Sequence, residues 1–405
     1  MIPFYLPFVN DDIIDNLIDT IKSGWITTGP QVKILQEEVA IISGVNDVLC
    51  VNSATSALTL ALHWYGVKPG DEVIIPAYTF AATALAVLHL GAKPVMVDIK
   101  DDFCIDTTKL AKAITEKTKV IMPVDMAGLP CDYNEIYDVV NSKEVKDKFK
   151  PLGDNQKKLG RVLILSDAAH SIGARYRGRP TGSLADLTVF SFHAVKNISS
   201  AEGGAICINL PIPFDNKKIY DFLRLISFNG QTKDAYAKTM GAEWKYDIIY
   251  PGFKINMPDI LASIAVAQFQ IYKKELYNRR KEIFALYDKA FEKISWAISP
   301  PSLCKKKESS YHVYLLRIKD ITETQRDLII EEIFRNGVSV NVHFQPLPML
   351  TVFKNLNYKI EDYPISYKNY SIEISLPVYP QLTNDNISYI VDCVIKAYNK
   401  ILGTN

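Results

Sequence analysis

Two charged residues at the ends of apolar runs are the strongest candidates for chemistry in the chain. Lys196 follows the apolar run at 187–192, and Asp167 follows the apolar run at 162–165. A lysine whose pKa is lowered by partial burial is a nucleophilic amine that can form a Schiff base, whereas most lysines at strand ends are simply exposed to solvent. A carboxylate at the carboxyl edge of an open sheet can pair with a protonated ring nitrogen of a ligand, or it can cap the helix that follows. The residues alone leave both alternatives open.

A third candidate is the run Ser53-Ala54-Thr55, which lies between a predicted strand at 48–51 and a predicted helix that reaches Tyr65. Backbone N–H groups at a helix N-terminus bind phosphate, and small residues permit its close approach. Simple N-capping explains the run equally well. Because the sequence contains neither a Walker A lysine nor a GxGxxG motif, a nucleotide-binding P-loop or Rossmann fingerprint is not supported.

These candidates need a sheet that brings several strand ends together. The first half of the chain alternates short β-branched runs with helical patterns, which predicts βαβ units in a mostly parallel seven-stranded sheet. Gly203-Gly204, before the last of these strands, predicts a tight turn with positive φ. The predicted strands are 48–51, 72–75, 94–97, 120–124, 162–165, 187–192 and 205–208.

The pattern changes near residue 259, which predicts a large domain at 1–258 and a smaller C-terminal α+β domain at 259–405. The second domain is expected to begin with a long connecting helix at 260–280, on which Glu275 and Arg279 have the spacing of an i,i+4 ion pair. Its other predicted elements are strands at 314–318 and 338–342 and helices at 324–336 and 384–402.

One polar segment interrupts the first domain. The Lys-rich stretch at 141–160 has no apolar period, so it is predicted to be a surface insertion exposed to solvent.

Composition excludes several classes of protein. The chain has 405 residues, of which 48% are hydrophobic, and its 46 Lys and Arg nearly balance its 45 Asp and Glu. This balance argues against an electrostatic nucleic-acid binder or a polybasic membrane-surface protein. The apolar stretch at 74–92 contains Pro76 and His89 and is better explained as a strand and a buried helix than as a membrane span.

Cysteine usage and the first residues of the chain point to a cytoplasmic protein. The start of the chain has no signal-peptide pattern, and the six cysteines form neither a CxxC motif nor a metal-ligand spacing. We therefore expect six free thiols and no metal site. They are Cys50, Cys104, Cys131, Cys207, Cys304 and Cys393.

Taken together, these motifs resemble the DegT/DnrJ/EryC1/StrS family of sugar aminotransferases, which are fold type I pyridoxal-phosphate enzymes. The resemblance covers nearly the whole chain and is closest to the branch that aminates C4 of UDP-linked 4-keto sugars, typified by UDP-4-amino-4-deoxy-L-arabinose aminotransferase. The segments that carry it are Ser23-Gly-Trp-Ile-Thr-Thr-Gly-Pro30, Val51-Asn-Ser-Ala-Thr55, Ser166-Asp-Ala-Ala-His170, Ser191-Phe-His-Ala-Val-Lys-Asn197, Ala201-Glu-Gly-Gly204 and Pro251-Gly-Phe-Lys-Ile-Asn256.

The resemblance implies a role for each matching residue. Lys196 corresponds to the Schiff-base lysine, which also moves the proton during transfer, and Asp167 to the partner of the pyridine nitrogen. His170 corresponds to the residue beside the cofactor's phenolic oxygen. The other implied cofactor contacts are Phe80, which stacks on the ring, and Ala54, Thr55 and Ser191, which contact the phosphate. Asn256 corresponds to an asparagine that reaches the phosphate of the neighbouring subunit, so a homodimer with shared active sites is implied.

Substrate contacts are also implied, and they depend on less specific matches. Trp25 and Thr27 lie in a matching loop, while His193, His312 and His343 lie in motifs or in segments that approach the sugar in the family. For His312 and His343 the alternative is a structural histidine. Phe80 stands where the arabinose enzyme has tryptophan, which leaves the sugar pocket undefined. Lys196 is retained where related dehydratases have histidine, which argues against dehydration.

The expected activity is transfer of an amino group from an amino acid, L-glutamate in the first instance, to the keto group of a nucleotide-linked sugar. Amination at C4 is favoured over amination at C3 of a dTDP-linked 3-keto-6-deoxy sugar. Two alternatives from other classes are a pyridoxal-phosphate-bound regulatory protein without turnover and a structural interaction protein without cofactor.

Overall fold

The computed structural model describes residues 1–232 and 245–403, and a seven-stranded sheet forms its centre. All seven strands predicted from the sequence belong to this sheet. Its order is β1-β9-β8-β5-β4-β2-β3, and only β9 runs antiparallel to its neighbours. The strands are β1 (Asp47–Val51), β2 (Glu72–Pro76), β3 (Lys93–Val97), β4 (Thr118–Ile121), β5 (Leu163–Asp167), β8 (Leu187–Ser191) and β9 (Gly204–Ile208).

Helices cover both faces of the sheet, which is why its central strands are continuous apolar runs. Alternate residues point to opposite faces: Leu163 and Leu165 pack in one apolar cluster, whereas Ile164 packs in another. The helices of this part are α1 (Asp11–Lys22), α2 (Pro30–Ser43), α3 (Ala54–Trp64), α4 (Ala81–Leu88), α5 (Thr107–Ala113), α6 (Tyr133–Asn141), α7 (Lys143–Lys148), α8 (Asp154–Leu159) and α9 (Asn216–Ser227).

The register of the strands aligns the ends that carry the candidate residues. Gly204, the first residue of β9, pairs with Val51 on one side and with Ser191 on the other. On the next strand, Asp167 pairs with Val189. Residues that follow β1, β5 and β8 therefore meet at one edge of the sheet.

The tight turn predicted at Gly203-Gly204 is wrong. Strand β8 ends at Ser191 and β9 begins at Gly204, so the connection is the long segment 192–203, and positive φ occurs at Ala201 rather than at either glycine. Gly204 is required for a different reason: a Cβ there would lie 2.5 Å from the backbone nitrogen of Ala54. The glycine permits close approach of β9 to the start of α3.

A smaller three-stranded antiparallel sheet, β10-β12-β13, forms the second part with its own apolar core. Its strands are β10 (Ala297–Ile298), β12 (Tyr314–Ile318) and β13 (Glu373–Leu376). Its helices are α11 (Tyr277–Phe291), α12 (Glu323–Arg335), α13 (Thr351–Asn355), α14 (Pro364–Ile372) and α15 (Asn384–Leu402). A short third sheet joins β6 (Arg175–Tyr176) and β7 (Arg179–Pro180) to β11 (Lys307–Glu308). The strand predicted at 338–342 is reduced to isolated bridges at Val338 and Asn341.

The predicted connecting helix forms, but a π-helical turn divides it into two α-helices. α10 (Asp259–Ile271) packs with α2 against the large sheet, a π-helical turn follows at Tyr272–Leu276, and α11 packs in the core of the small sheet. The predicted pairing of Glu275 with Arg279 is wrong, because Arg279 lies 2.8 Å from Glu282 instead. The division of domains at residue 258 stays a prediction.

The stretch 141–160 is more ordered than its composition predicts. It contains α7 and α8, and Val145 and Gln156 are fully buried. The Gln156 amide donates to the carbonyl of Tyr65 at 3.1 Å. Each of these short helices buries a single side chain. One buried residue per helix leaves no apolar period in the sequence, which is why the order of this segment was not predicted.

All six cysteines are free thiols, and five of them are buried. Among residues 1–232 and 245–403, no helix has both the length and the apolar character required to cross a bilayer.

Candidate active site

A cavity of about 280 Å³ lies at the carboxyl edge of the large sheet. Its walls include eight of the residues selected from the sequence: Ala54, Thr55, Phe80, Asp167, His170, Ser191, His193 and Lys196. The cavity therefore brings together residues from β1–α3, β5 and β8, as the parallel topology requires.

Lys196 enters the cavity from the long connection between β8 and β9. Its backbone carbonyl accepts a hydrogen bond from the Tyr5 hydroxyl at 2.7 Å, which fixes this segment against the N-terminal residues. Burial lowers the pKa of the Lys196 amine to about 8, and the carboxylate of Asp167 opposes this shift. Some of the amine is therefore neutral, and thus nucleophilic, near neutral pH.

Asp167 occupies the end of β5 and is buried. Burial raises the pKa of its carboxyl group, while hydrogen bonds from Thr83 and Ala169 and the charge of Lys196 oppose the rise. The Thr83 hydroxyl donates to Oδ2 at 2.7 Å, and the Ala169 N–H donates to Oδ1 at 3.3 Å. The helix-cap interpretation is wrong, because no helix follows β5 before residue 175; the carboxylate accepts from Ala169 in a local turn and lines the cavity.

The start of α3 contributes free backbone donors to the same cavity. The Ser53 hydroxyl caps the helix by accepting the Ser56 N–H at 3.1 Å. This cap leaves the first-turn N–H groups of Ala54 and Thr55 at the cavity wall. Ser191 lies opposite, at the end of β8, and its hydroxyl accepts the His193 N–H at 3.3 Å. Small residues around a helix N-terminus suit a phosphate group.

His170 lines the cavity as a neutral imidazole. Its Nδ1 accepts the backbone N–H of Ala127 at 3.2 Å, so the ring proton resides on Nε2. Burial holds the pKa of His170 well below its usual range, and the charge of Lys196 adds to the effect. His312 packs against it with ring centroids 4.4 Å apart.

Aromatic residues form the outer wall. Phe80 precedes α4 and is 60% exposed, and its ring centroid lies 5.6 Å from that of Phe344. Sequence reasoning did not select Phe344, although it lines the cavity. It also missed Thr83, which lies 84 residues from its partner Asp167. No local pattern marks either residue.

Of the three other histidines selected from the sequence, His312 and His343 do not line the cavity. His312 is buried and its Nδ1 lies 2.8 Å from Oδ1 of Asn197, the residue after Lys196. His343 contacts Phe344 with ring centroids 4.8 Å apart. His193, in contrast, is exposed at the mouth, where its Nε2 lies 3.7 Å from Glu202.

Trp25, Thr27 and Asn256 lie outside this cavity in the single chain. Asn256 donates to the Thr28 hydroxyl at 2.7 Å, and the Trp25 indole donates to the Thr28 carbonyl at 3.1 Å. Asn256 and Thr28 line a separate groove of about 540 Å³ between α2 and α9.

Solved structures with the same architecture identify the class of the protein. Spr1654 of Streptococcus pneumoniae, a candidate sugar aminotransferase solved in its pyridoxal-phosphate form, is 41% identical, with a TM-score of 0.94 and 99% of each chain covered. PseC of Helicobacter pylori, an aminotransferase involved in the biosynthesis of pseudoaminic acid, is 26% identical, with a TM-score of 0.85 and 98% of this chain and 99% of that chain covered. Fold and site thus define a fold type I, pyridoxal 5′-phosphate-dependent aminotransferase.

Sequence comparison identifies the family. The model of the DegT/DnrJ/EryC1/StrS aminotransferase family matches residues 7–147 and 150–395, and the chain belongs to this family. MJ1066 of Methanocaldococcus jannaschii, an uncharacterized protein, is 36% identical over 98% of this chain and 97% of its own length. The spore coat polysaccharide biosynthesis protein SpsC of Bacillus subtilis is 32% identical over 97% of this chain and 96% of its own length.

The residues present fit pyridoxal 5′-phosphate. The cavity offers a partly neutral amine in Lys196, a buried carboxylate in Asp167 and backbone donors at the start of α3. An aldehyde, a ring nitrogen and a phosphate require these three kinds of group.

Proposed function

We propose that the protein transfers an amino group from L-glutamate to the C4 keto group of a nucleotide-linked sugar. The observation that carries the proposal is the placement of Lys196 and Asp167 on one cavity, close enough that the charge of each shifts the pKa of the other. The names of the relatives support a sugar substrate, because Spr1654 is a candidate sugar aminotransferase and SpsC serves polysaccharide biosynthesis.

Pyridoxal 5′-phosphate, when bound, supplies the carbonyl group and the electron sink that amino-group transfer requires. In our proposal Lys196 holds the cofactor covalently and afterwards moves the proton, for which a pKa of about 8 is suited. Asp167 keeps the ring nitrogen protonated. Thr83 aids it by donating to the carboxylate, which stabilises the ionised form.

The remaining residues of the cavity orient the reactants. His170 presents Nε2–H as a donor to the phenolic oxygen of the cofactor, and Phe80 stacks on its ring. The N–H groups of Ala54 and Thr55 and the hydroxyl of Ser191 bind the phosphate. We assign Trp25, Thr27, His193, His312 and His343 to the sugar side of the site.

A homodimer with shared active sites belongs to this proposal. Asn256 lines a groove separate from the cavity of its own chain and donates to Thr28 there, which supports a role toward the cofactor of a second copy. Exposed isoleucines on and after α1 offer an apolar surface for such a copy. These are Ile14, Ile18, Ile21 and Ile26, which are 45%, 39%, 51% and 51% exposed.

The proposal is tested by incubating the cofactor-loaded protein with L-glutamate and either a UDP-linked or a dTDP-linked 4-keto-6-deoxyhexose. NMR of the product locates the new amino group. A 4-amino sugar supports the proposal. Activity confined to a dTDP-linked 3-keto-6-deoxy sugar would establish the C3 alternative. If glutamate converts the cofactor to its amino form and no keto sugar then accepts the amino group, another acceptor would be favoured.

A further inference from the structure

A chain of hydrogen bonds runs from a buried carboxyl group in β13 to His343. The Ser375 hydroxyl donates to Oε1 of Glu373 at 2.5 Å, and Nδ1 of His343 lies 2.9 Å from the same hydroxyl. The backbone N–H of His343 also donates to Oε2 of Glu373 at 3.1 Å. Glu373 and Ser375 therefore hold His343 at both its backbone and its ring.

Two phenylalanine rings contact the imidazole of His343. Phe4 stacks on the ring at 5.3 Å, and Phe344, which lines the cavity, contacts it at 4.8 Å. No residue in the described part of the chain hydrogen-bonds Nε2 of His343. Burial and the charge of Lys196 lower the pKa of His343 to about 3, so the ring is neutral and carries one proton.

Burial and the neighbouring polar groups shift the pKa of Glu373 in opposite directions. The carboxyl group is fully buried, and burial raises its pKa to about 8 although its hydrogen bonds and the charges of Arg326 and Arg317 favour the ionised form. Tyr78 from the large domain also faces it. The groups that act on His343 from the other side are Lys196, His170 and His312.

We propose that Glu373 and Ser375 are positioning residues that decide which nitrogen of His343 carries its proton. Nε2, which no residue in the described part of the chain hydrogen-bonds, thereby becomes either a donor or an acceptor for a ligand. The inference deepens the proposed function and rests on it in one respect, namely that the group which Nε2 meets is an oxygen of the sugar substrate.

The two arrangements differ by one proton. With Glu373 ionised, Ser375 donates to the carboxylate, Nδ1–H of His343 donates to Ser375, and Nε2 has a free lone pair. With Glu373 protonated, the carboxyl group donates to Ser375, Ser375 donates to Nδ1, and the proton resides on Nε2. Passing from the second to the first arrangement, Nε2 gives its proton to a ligand oxygen or water, Nδ1 takes the Ser375 proton, and Ser375 takes the Glu373 proton. Each bond to hydrogen that breaks is matched by one that forms.

The test is NMR of the full-length protein labelled with ¹⁵N in its histidine rings, with the His343 signals assigned by their loss in His343→Gln. The expected result is a proton on Nε2 below about pH 7 and on Nδ1 above about pH 9. Ser375→Ala and Glu373→Gln should each abolish this pH-dependent exchange, whereas Ser375→Thr, which keeps a hydroxyl, should retain it. A wild-type tautomer that is the same at both pH values, or an exchange that survives in Ser375→Ala, would overturn the proposal.

A second readout separates this inference from the proposed function. Absorbance of the bound cofactor with L-glutamate reports on the amino-donor reaction independently of His343. If the glutamate response is intact and the tautomer exchange is absent, only the inference fails. If the exchange is present and glutamate has no effect, the proposed function fails and the positioning of His343 stands. Ser375→Thr should also preserve the pH profile of kcat/KM with a dTDP-linked 4-keto-6-deoxyhexose, which Ser375→Ala should flatten.

Discussion

At the scale of single residues, the site depends on two buried charges that influence each other. The carboxylate of Asp167 raises the pKa of Lys196, which burial alone would lower further. Lys196 in turn opposes the rise in the pKa of Asp167. Burial thus leaves part of the amine neutral near neutral pH, and each charge opposes the shift that burial imposes on the pKa of the other.

This balance predicts a pH dependence for cofactor loading. The neutral amine is the nucleophile, so the rate at which the apoprotein takes up pyridoxal 5′-phosphate should rise with pH and level off above about pH 8. In Asp167→Asn the charge that raises the pKa of Lys196 is lost, so the plateau should begin at lower pH. Stopped-flow absorbance measures both profiles. A wild-type rate that keeps rising to pH 10 would indicate an unperturbed lysine.

The same substitution separates binding from turnover. Asp167→Asn is nearly isosteric but cannot keep a ring nitrogen protonated, so amino-group transfer should fall by about 10²-fold or more while the cofactor still binds. Thr83→Val is the milder comparison, because it removes one hydrogen bond to the carboxylate. It should cost about 1 kcal/mol, or roughly fivefold in rate. Single-turnover kinetics of the half-reaction with L-glutamate measure both effects, and equal losses would contradict the assigned role of the charge.

At the scale of elements, the close approach of β9 to α3 shapes the candidate phosphate site. A Cβ on Gly204 would lie 2.5 Å from the nitrogen of Ala54 and 2.6 Å from the carbonyl carbon of Ser53. The N–H groups proposed to bind phosphate are therefore placed by a strand that must carry glycine.

Gly204→Ala should displace the start of α3 and weaken cofactor binding. Overpacking of this kind costs about 1–3 kcal/mol in stability, and the dissociation constant of pyridoxal 5′-phosphate should rise with it. Gly153→Ala is the matched control, because nothing lies within 4 Å of its added Cβ. Thermal unfolding and cofactor titration test the pair. A cofactor affinity unchanged in Gly204→Ala would remove α3 from the phosphate site.

The elements themselves could be predicted to different degrees. All seven strands of the large sheet were predicted because strands buried on both faces are continuous apolar runs. The turn at Gly203-Gly204 was misread because a glycine pair looks the same in sequence whether it supplies positive φ or close approach. Thr83, Phe344 and the pair Glu373–Ser375 could not be found, since their importance depends on contacts between distant parts of the chain.

At the scale of the whole molecule, one complete site of the proposed enzyme contains residues from two copies of the chain. In the proposed dimer, Lys196 of one copy and Asn256 of the other serve the same cofactor. The single chain is consistent with this, because Asn256 lies on a groove apart from the cavity of its own lysine.

Mixing two defective variants tests this arrangement. Lys196→Ala should be inactive and Asn256→Ala should bind cofactor weakly, but a mixed dimer should contain one site in which both residues are intact. Activity at limiting cofactor should therefore recover after the two variants are mixed and allowed to exchange subunits. Differently tagged copies would verify the exchange. Exchange without recovery would mean that Asn256 serves its own chain or none.

The most direct test of the central claim is the visible absorbance of the purified, cofactor-loaded protein before and after L-glutamate is added. The account predicts a yellow band that depends on Lys196, is lost in Lys196→Ala, and is converted by glutamate to the absorbance of pyridoxamine phosphate. A wild-type protein that forms no such band after reconstitution with pyridoxal 5′-phosphate would contradict the account.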